Sequence, residues 1–378
     1  MINKKSLGIY IHIPFCIQKC GYCDFCSFSG IDEKTKASYV DALCRDIEKR
    51  GEECRDYIAD TVYFGGGTPT LLTISQFEKI FSALRKSFDI LPDAEITTEC
   101  NPATADRDYF SALKALGVNR LSMGMQSAHD GELAALGRVH RANDFINAFS
   151  WAREAGFDNI SADVMFGIPD QTRESFKKTL ETLAALRPEH ISAYGLIIEE
   201  GTPFFANRKK LVLPDEDTEY TMYTDAVDFL ARCGYERYEI SNFAIPGRES
   251  RHNLKYWLRD DYLGLGVSAH SFLKEHRCSA PRDLLRYIGG EFEEECEEIS
   301  KNDAMCEYVM LGMRTVQGVD ENIFCRRFGE SFDEVFGEKL KPYCDGGFVV
   351  RKDGKCAFTD SGFYLSNTVL SDILDFDS

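Results

Sequence analysis

Between Leu7 and about Glu199 the chain alternates two kinds of apolar pattern. Short runs dense in β-branched and aromatic residues read as strands: "LGIYIHI", "DTVYFGGG", "AEITTEC", "NRLSMGMQS", "ISADVMFGI" and "HISAYGLII". Longer stretches with apolar residues at i, i+3 and i+4 read as helices: "KASYVDALCRDIEKRGEEC", "SQFEKIFSALRKSF", "DRDYFSALKALG", "RANDFINAFSWAREAG" and "RESFKKTLETLAAL". Gly117 and Gly156 stand where two of these helices should stop. A strand-then-helix repeat predicts parallel strands with right-handed crossovers, in an open doubly wound sheet or a barrel.

Polar and glycine residues collect just past the strand ends: a cysteine loop, then "GGGTP", "ECNP", "MQS" and "GIPDQT". In a barrel those ends surround one mouth, so a single site would gather all five. The expected fold is therefore α/β, a partial (β/α)6 TIM-like barrel over residues 1–200. Beyond Gly201 the pattern loosens. "DEDTEYTMYTDAVDFLARCGY" reads as a helix and "YERYEISNFA" as a strand, whereas "GRESRHNLKYWLRDDYLGLGVSAHSF" has no clear period. Residues 201–300 are expected to complete the barrel and to end in an acidic separator, "EFEEECEEIS". Residues 301–378, with helical patterns and a hairpin turn at "RKDGKC", are expected to form a small C-terminal α+β winged-helix-like domain.

Charge narrows the partners. With 62 acidic against 44 basic residues, a formal net charge of -18, the long-range field opposes nucleic acid and anionic membranes. No run of about eighteen apolar residues occurs, and "MINKKSLGIYIHIPFC" lacks a cleavage site, so no transmembrane segment and a cytoplasmic location are expected. Most of the fourteen cysteines should then be reduced, and the ten scattered ones should serve as small buried apolar residues.

The other four, Cys16, Cys20, Cys23 and Cys26, fall within eleven residues. A redox dithiol would use two thiols at a helix start, and a zinc site would need a second ligand pair, which is not evident. Cys16, Cys20 and Cys23, spaced C-x3-C-x2-C, suit a cubane cluster with one iron left open.

That spacing, with Tyr22 before the third cysteine and a strand leading in, resembles the signature of radical S-adenosylmethionine (radical SAM) proteins. "GGGTP" resembles the second motif of that family, and "YIHIPFC", "GGGTPT", "TTECNP", "RLSMGMQS", "LGRVH" and "DVMFGIP" resemble its coproporphyrinogen-dehydrogenase-like branch. The resemblance implies a [4Fe-4S] cluster on Cys16, Cys20 and Cys23, whose open iron chelates S-adenosylmethionine. It implies cofactor contacts at Tyr10, Gly66, Gly67, Thr68, Glu99, Gln126, Arg138 and Asp163. In the dehydrogenases a fourth cysteine follows the third after one residue, whereas here Asp24 and Phe25 precede Cys26, which is expected to be a spare thiol.

The branch holds both oxygen-independent coproporphyrinogen dehydrogenases and heme chaperones. Two features favour a chaperone that hands heme to acceptor proteins rather than an enzyme. The chain reaches Cys16 without the dehydrogenases' N-terminal extension, and "HNLKYW" resembles the chaperones' heme-binding motif. By that likeness His252, Asn253, Tyr256 and Trp257 would bind heme: an imidazole can ligate the iron, and flat rings can face the macrocycle. Arg251 or Lys255 would pair with a propionate, and Cys26 or His270 is a candidate second contact. The rival reading is a porphyrin-modifying radical enzyme, and a zinc-binding interaction module stands third. Monomer and dimer are both compatible with the sequence.

Overall fold

Each of the six expected strands forms, and along each of them apolar and polar side chains take opposite faces. The computed structural model describes residues 4–293 and 295–376; Met1, Ile2 and Asn3 of the opening stretch and Glu294 of the acidic run lie outside the described residues. The strands are β1 (Lys5–Ile13), β2 (Tyr57–Gly66), β3 (Ile90–Cys100), β4 (Arg120–Gln126), β5 (Ile160–Phe166) and β6 (His190–Gly195), all parallel and neighbours in chain order. Leu7, Ile9, Ile11, Val62, Phe64, Leu121, Met123, Val164 and Ile191 point outward and are fully buried under helices. The covering helices are α1 (Glu33–Glu53), α2 (Ile74–Ser87), α3 (Arg107–Leu116), α4 (Ala142–Glu154) and α5 (Arg173–Leu186).

Local chemistry sets the ends of these helices. Asp32 and Asp106 accept from the backbone amides of Thr35 and Tyr109, Thr73 and Gln76 close a reciprocal capping box, and Gly117 ends α3 in the left-handed region at φ 103°. Rings such as Phe77, Phe81 and Phe110 fill the layer between sheet and helices, each contributing on the order of 2–3 kcal/mol of burial.

The looser region completes the barrel with shorter pieces than the sequence suggests. The expected strand at "YERYEISNFA" shrinks to β7 (Asn242–Ala244), antiparallel to β6, with only Glu236–Arg237 beside it. After α6 (Glu216–Arg232) and the short α7 (Arg251–Trp257), β8 (Tyr262–Leu265) runs parallel to β1 and starts a meander through β9 (His270–Leu273), β10 (His276–Ser279) and β11 (Glu295–Glu298).

The acidic run is thus an edge strand rather than a separator. Its register sets Cys296 opposite Cys278, and the two are joined in a disulfide. This corrects the expectation of reduced, buried cysteines outside the front loop: Cys54, Cys100, Cys306 and Cys356 are buried, but Cys233 and Cys325 are exposed. No helix among the described residues is long and apolar enough to cross a membrane.

The tail has its own core. Val309 on α8 (Lys301–Gly312) and Met313 just past its end pack with Phe324, Phe332, Phe336, Leu340 and Phe363, and the hairpin Val349–Lys352 with Lys355–Phe358 turns at Asp353 and Gly354. Ion pairs bind it to the barrel side. Arg259, almost fully buried, meets Glu307 of α8 at 2.8 Å and Glu275 at 2.6 Å, and Arg277 meets the other Glu307 oxygen at 2.6 Å.

Removing one member of a buried ion network leaves the others uncompensated. Glu307→Ala is expected to destabilise the chain by about 3 kcal/mol, read as a lower urea midpoint, with proteolysis beginning near residue 300. An unchanged midpoint would show that the network does not hold the tail.

Candidate cluster and cofactor site

Much of the inward face of the barrel is polar: Thr61 and Tyr63 on β2, Glu95, Thr97 and Glu99 on β3, Arg120 and Ser122 on β4, Ser161 and Asp163 on β5. Those near the strand starts meet α7 and those near the strand ends open into a cavity of about 470 Å³. The two ends therefore differ in what they present.

At the open end, the loop after β1 is held by backbone bonds on several sides. Gly67 and Thr68 donate to the carbonyls of Ile13 and Phe15 at 2.8 and 2.7 Å, Gly21 donates to Leu136, and Phe204 donates to Gly21. The second motif works through close approach. Gly66 sits at φ 110°, and a Cβ on Gly67 would fall 2.7 Å from the Phe15 carbonyl oxygen, so neither position accepts a side chain without strain. Cys16, Cys20 and Cys23 line the cavity, none of them in a disulfide. Cys26 is not among the lining residues; its Sγ reaches the Arg282 carbonyl at 3.7 Å, and its own carbonyl meets His12 Nε2 at 2.8 Å.

Seven of the eight residues implied to contact the cofactor line the same cavity: Gly66, Gly67, Thr68, Glu99, Gln126, Arg138 and Asp163. Tyr10 is not among the lining residues; its hydroxyl bonds His12 Nδ1 at 2.9 Å. Glu99 accepts from the Tyr63 hydroxyl at 3.0 Å and the Gly66 amide at 3.1 Å. Burial, then the nearby Asp163 charge, pushes its carboxyl up to about 7. Burial likewise pushes Asp163 up to about 6, against the opposing charge of Arg120.

The donor set fits a polynuclear iron cluster and a zwitterionic cofactor. Arg138 Nη1 lies 3.7 Å from Cys20 Sγ and the Thr68 hydroxyl 3.8 Å from Cys16 Sγ, so both thiols already face donors suited to a thiolate. Arg138 Nε is buried without a partner, and Glu99 and Asp163 are acceptors held in a water-poor wall. Among the described residues the one three-residue group within 4.8 Å is Cys278, Glu293 and Cys296, and its two sulfurs are already joined in the disulfide and offer no thiolate.

The "HNLKYW" residues lie at the opposite end. Glu95, four positions before Glu99 and so about 13 Å along β3, accepts the Arg251 and His252 amides at 3.1 Å each, an anion capping the first turn of α7. His252 is 1% exposed; Nδ1 bonds the Thr61 hydroxyl at 2.8 Å, Nε2 bonds the Tyr256 hydroxyl at 2.9 Å, and the ring stacks on Tyr63 at 5.1 Å. Burial, with the charges of Lys255 and Arg120, brings it down to about 3, so it is a neutral ring.

In this arrangement both imidazole nitrogens are hydrogen-bonded and the ring is enclosed, so ligation of heme iron by His252 would require one of those bonds to be given up. Asn253 and Trp257 are half-buried, and Lys255 is paired with Asp60 at 2.9 Å. His270 is exposed on β9.

Several cavity residues escaped the sequence reading. Ser122 and Tyr194 continue the inward alternation of β4 and β6, a signal that was legible; Tyr194 donates to Gln126 at 3.0 Å. Phe25, Val139 and Ile197 come from loops without periodicity.

Comparison with known proteins follows the same lines. The chain matches the model of the Radical SAM superfamily over residues 10–183 and that of the HemN C-terminal domain over residues 299–365. It is 34% identical to the Bacillus subtilis heme chaperone HemW, across 97% of this chain and 98% of that protein, and 31% identical to the Escherichia coli heme chaperone HemW, across 98% of each. The solved structure of coproporphyrinogen III oxidase (HemN) from Escherichia coli, a radical SAM enzyme, superposes with a TM-score of 0.86 at 26% identity, over 98% of this chain and 90% of that one.

The raised carboxyls give a pH test. Their stabilising contribution is complete below the ordinary values of 3.8 and 4.5 and is lost as pH rises through about 6 and about 7. Without cofactor, the melting temperature of the parent minus that of a Glu99→Gln, Asp163→Asn variant should fall steadily from pH 5 to pH 8. A flat difference would show that the two carboxyls are not strained by burial.

Proposed function

Because this chain belongs to the HemW family of heme chaperones, built on the radical SAM fold, we propose that it binds heme and passes it to acceptor proteins in the cytoplasm. The observation that carries this reading is full-length similarity to heme chaperones, together with a cavity whose thiols and polar wall suit a [4Fe-4S] cluster and S-adenosylmethionine. Cys16, Cys20 and Cys23 hold the cluster. Its remaining iron supplies a site for the amino and carboxylate groups of the cofactor.

The chain's own groups orient that cofactor. Gly66 and Gly67 let it approach the backbone, and Thr68 and Gln126 offer hydrogen bonds. Glu99 and Asp163 accept from ammonium or ribose hydroxyls, and Arg138 offsets the carboxylate. Tyr10 fixes His12 beneath the loop. The fold likeness to the oxidase favours a second reading, in which the same cavity works as a porphyrin-modifying enzyme. The carrier reading treats bound cofactor as part of the structure rather than as a reagent.

Cys20→Ala should abolish iron and sulfide binding after anaerobic reconstitution, whereas Cys26→Ala should keep the full complement; a cluster surviving the first change would refute the ligand set. Cluster-loaded parent protein should saturate near one heme per chain and transfer it to an apo heme protein. Conversion of coproporphyrinogen with reductive cleavage of S-adenosylmethionine would instead establish the enzyme reading.

A further inference from the structure

The one disulfide among the described residues lies outside the cavity that the loop thiols line, at the acidic edge of the sheet. Cys278 on β10 and Cys296 on β11 are directly opposed in an antiparallel register, and a carboxylate oxygen of Glu293 lies within 4.8 Å of both sulfurs. Arg50 of α1, nearly buried, holds that carboxylate through Nη1 at 2.7 Å. The rest of β11 is Glu295, Glu297 and Glu298, with Glu297 facing Arg277 at 3.9 Å.

Disulfides persist in oxidising compartments, whereas the cytoplasm expected from the sequence keeps thiols reduced. A thiol reductant delivers two electrons and two protons to this bond, leaving Cys278 and Cys296 as thiols and the reductant as its own disulfide. Two thiols and a carboxylate in one largely exposed group are a ligand set for a borderline-soft dication. Zinc–sulfur bonds of about 2.3 Å hold two thiolates about 3.8 Å apart. Directly opposed residues of an antiparallel pair, with β-carbons about 5 Å apart, reach that separation without any change of register. The glutamates of β11 raise the local concentration of a cation, and Arg50 both orients Glu293 and offsets the excess negative charge around one Zn2+.

We propose that Cys278, Cys296 and Glu293 form a redox-gated zinc site. The reduced pair binds one Zn2+, with water in the fourth position, and releases its two thiol protons. A disulfide oxidant takes two electrons from the thiolates, the sulfur–sulfur bond forms again, and the ion leaves. Either state clasps β11 to β10, beside Arg277, whose guanidinium pairs with Glu307 of the tail at 2.6 Å. The zinc form alone also ties in Glu293 and, through Arg50, α1. The site shares no residue with the cluster cavity and depends on neither heme nor S-adenosylmethionine.

The test uses cluster-loaded protein, so that the loop thiols are occupied, reduced without air by a dithiol that is then removed. Zinc chloride is titrated in competition with a chromophoric chelator. The parent should hold one zinc per chain above the amount held by Cys278→Ser or Cys296→Ser. Glu293→Gln, which keeps both thiols, should bind it about tenfold more weakly. Oxidised glutathione should release the ion, with the Cys278–Cys296 bond recovered in the peptide masses. Bound zinc should slow alkylation of these two thiols and leave the exposed Cys233 and Cys325 as reactive as before.

Equal zinc uptake by the parent and Cys296→Ser overturns the site, as does alkylation of Cys278 and Cys296 at one rate with and without zinc. A pair that stays oxidised under excess dithiol is a permanent staple, and that result overturns the site too.

Discussion

A parallel barrel lined with polar side chains must satisfy each of them where water is scarce. Ordinary barrels avoid the problem by filling the interior with branched apolar residues. This one instead holds Glu95, Arg120, Asp163, His190 and His252, all buried or walled in. Each buried group left unpaired would cost about 1–3 kcal/mol, and a charge more. Much of the surrounding structure answers that demand. His190 is bonded by Ser161 at 2.8 Å and Tyr238 at 2.7 Å, Glu95 by two helix amides, and His252 by two hydroxyls. Drawing α7 out of the floor would release the two bonds to Glu95 and the bond from Thr61 to His252, on the order of 4 kcal/mol before any apolar surface is counted. The floor is therefore a closed element and the mouth an open one.

The mouth depends on the same strands at their other ends, but by a different device. Its loops need no covering helix because backbone amides already tie them to β1 and to the Leu136 carbonyl. Gly66 and Gly67 keep that space free of side chains. Glu99 and Asp163 sit in the wall with their ionised forms disfavoured, an arrangement that costs stability in the empty protein and that a cationic ligand group relieves. Strain held at the site and satisfaction at the floor are two uses of one inward-facing row.

How much of this was legible follows from what periodicity reports. The six strands and five crossover helices appear because period-two and period-3.6 patterns run long there, and the cavity residues at strand ends follow from parallel topology. Tyr194 could have been read by extending the alternation of β6. The short strands β7 to β11 could not, because three or four residues carry no period. Cys278 opposite Cys296 is a matter of register between strands whose sequence, "EFEEECEEIS", looks like a solvated charge run. The buried setting of His252 was not legible for a related reason: a motif gives residue types, while the helix that carries them decides whether a ring faces solvent or the barrel. Phe25 and Ile197 lie on loops, where sequence gives composition but no direction.

Net charge illustrates the same gap between a sum and a site. A balance of -18 argues against polyanionic partners, whose many phosphates sample the whole field. It says little about a small dianion. At physiological ionic strength exposed charges more than about 8 Å apart are largely screened, so a ligand at the mouth responds to the groups beside it. There Lys19 stands beside Asp24 and Glu199, while much of the acidic excess lies on surfaces such as β11, on the far side of β1 in the sheet. An acidic surface overall and a mouth of mixed charge are thus compatible.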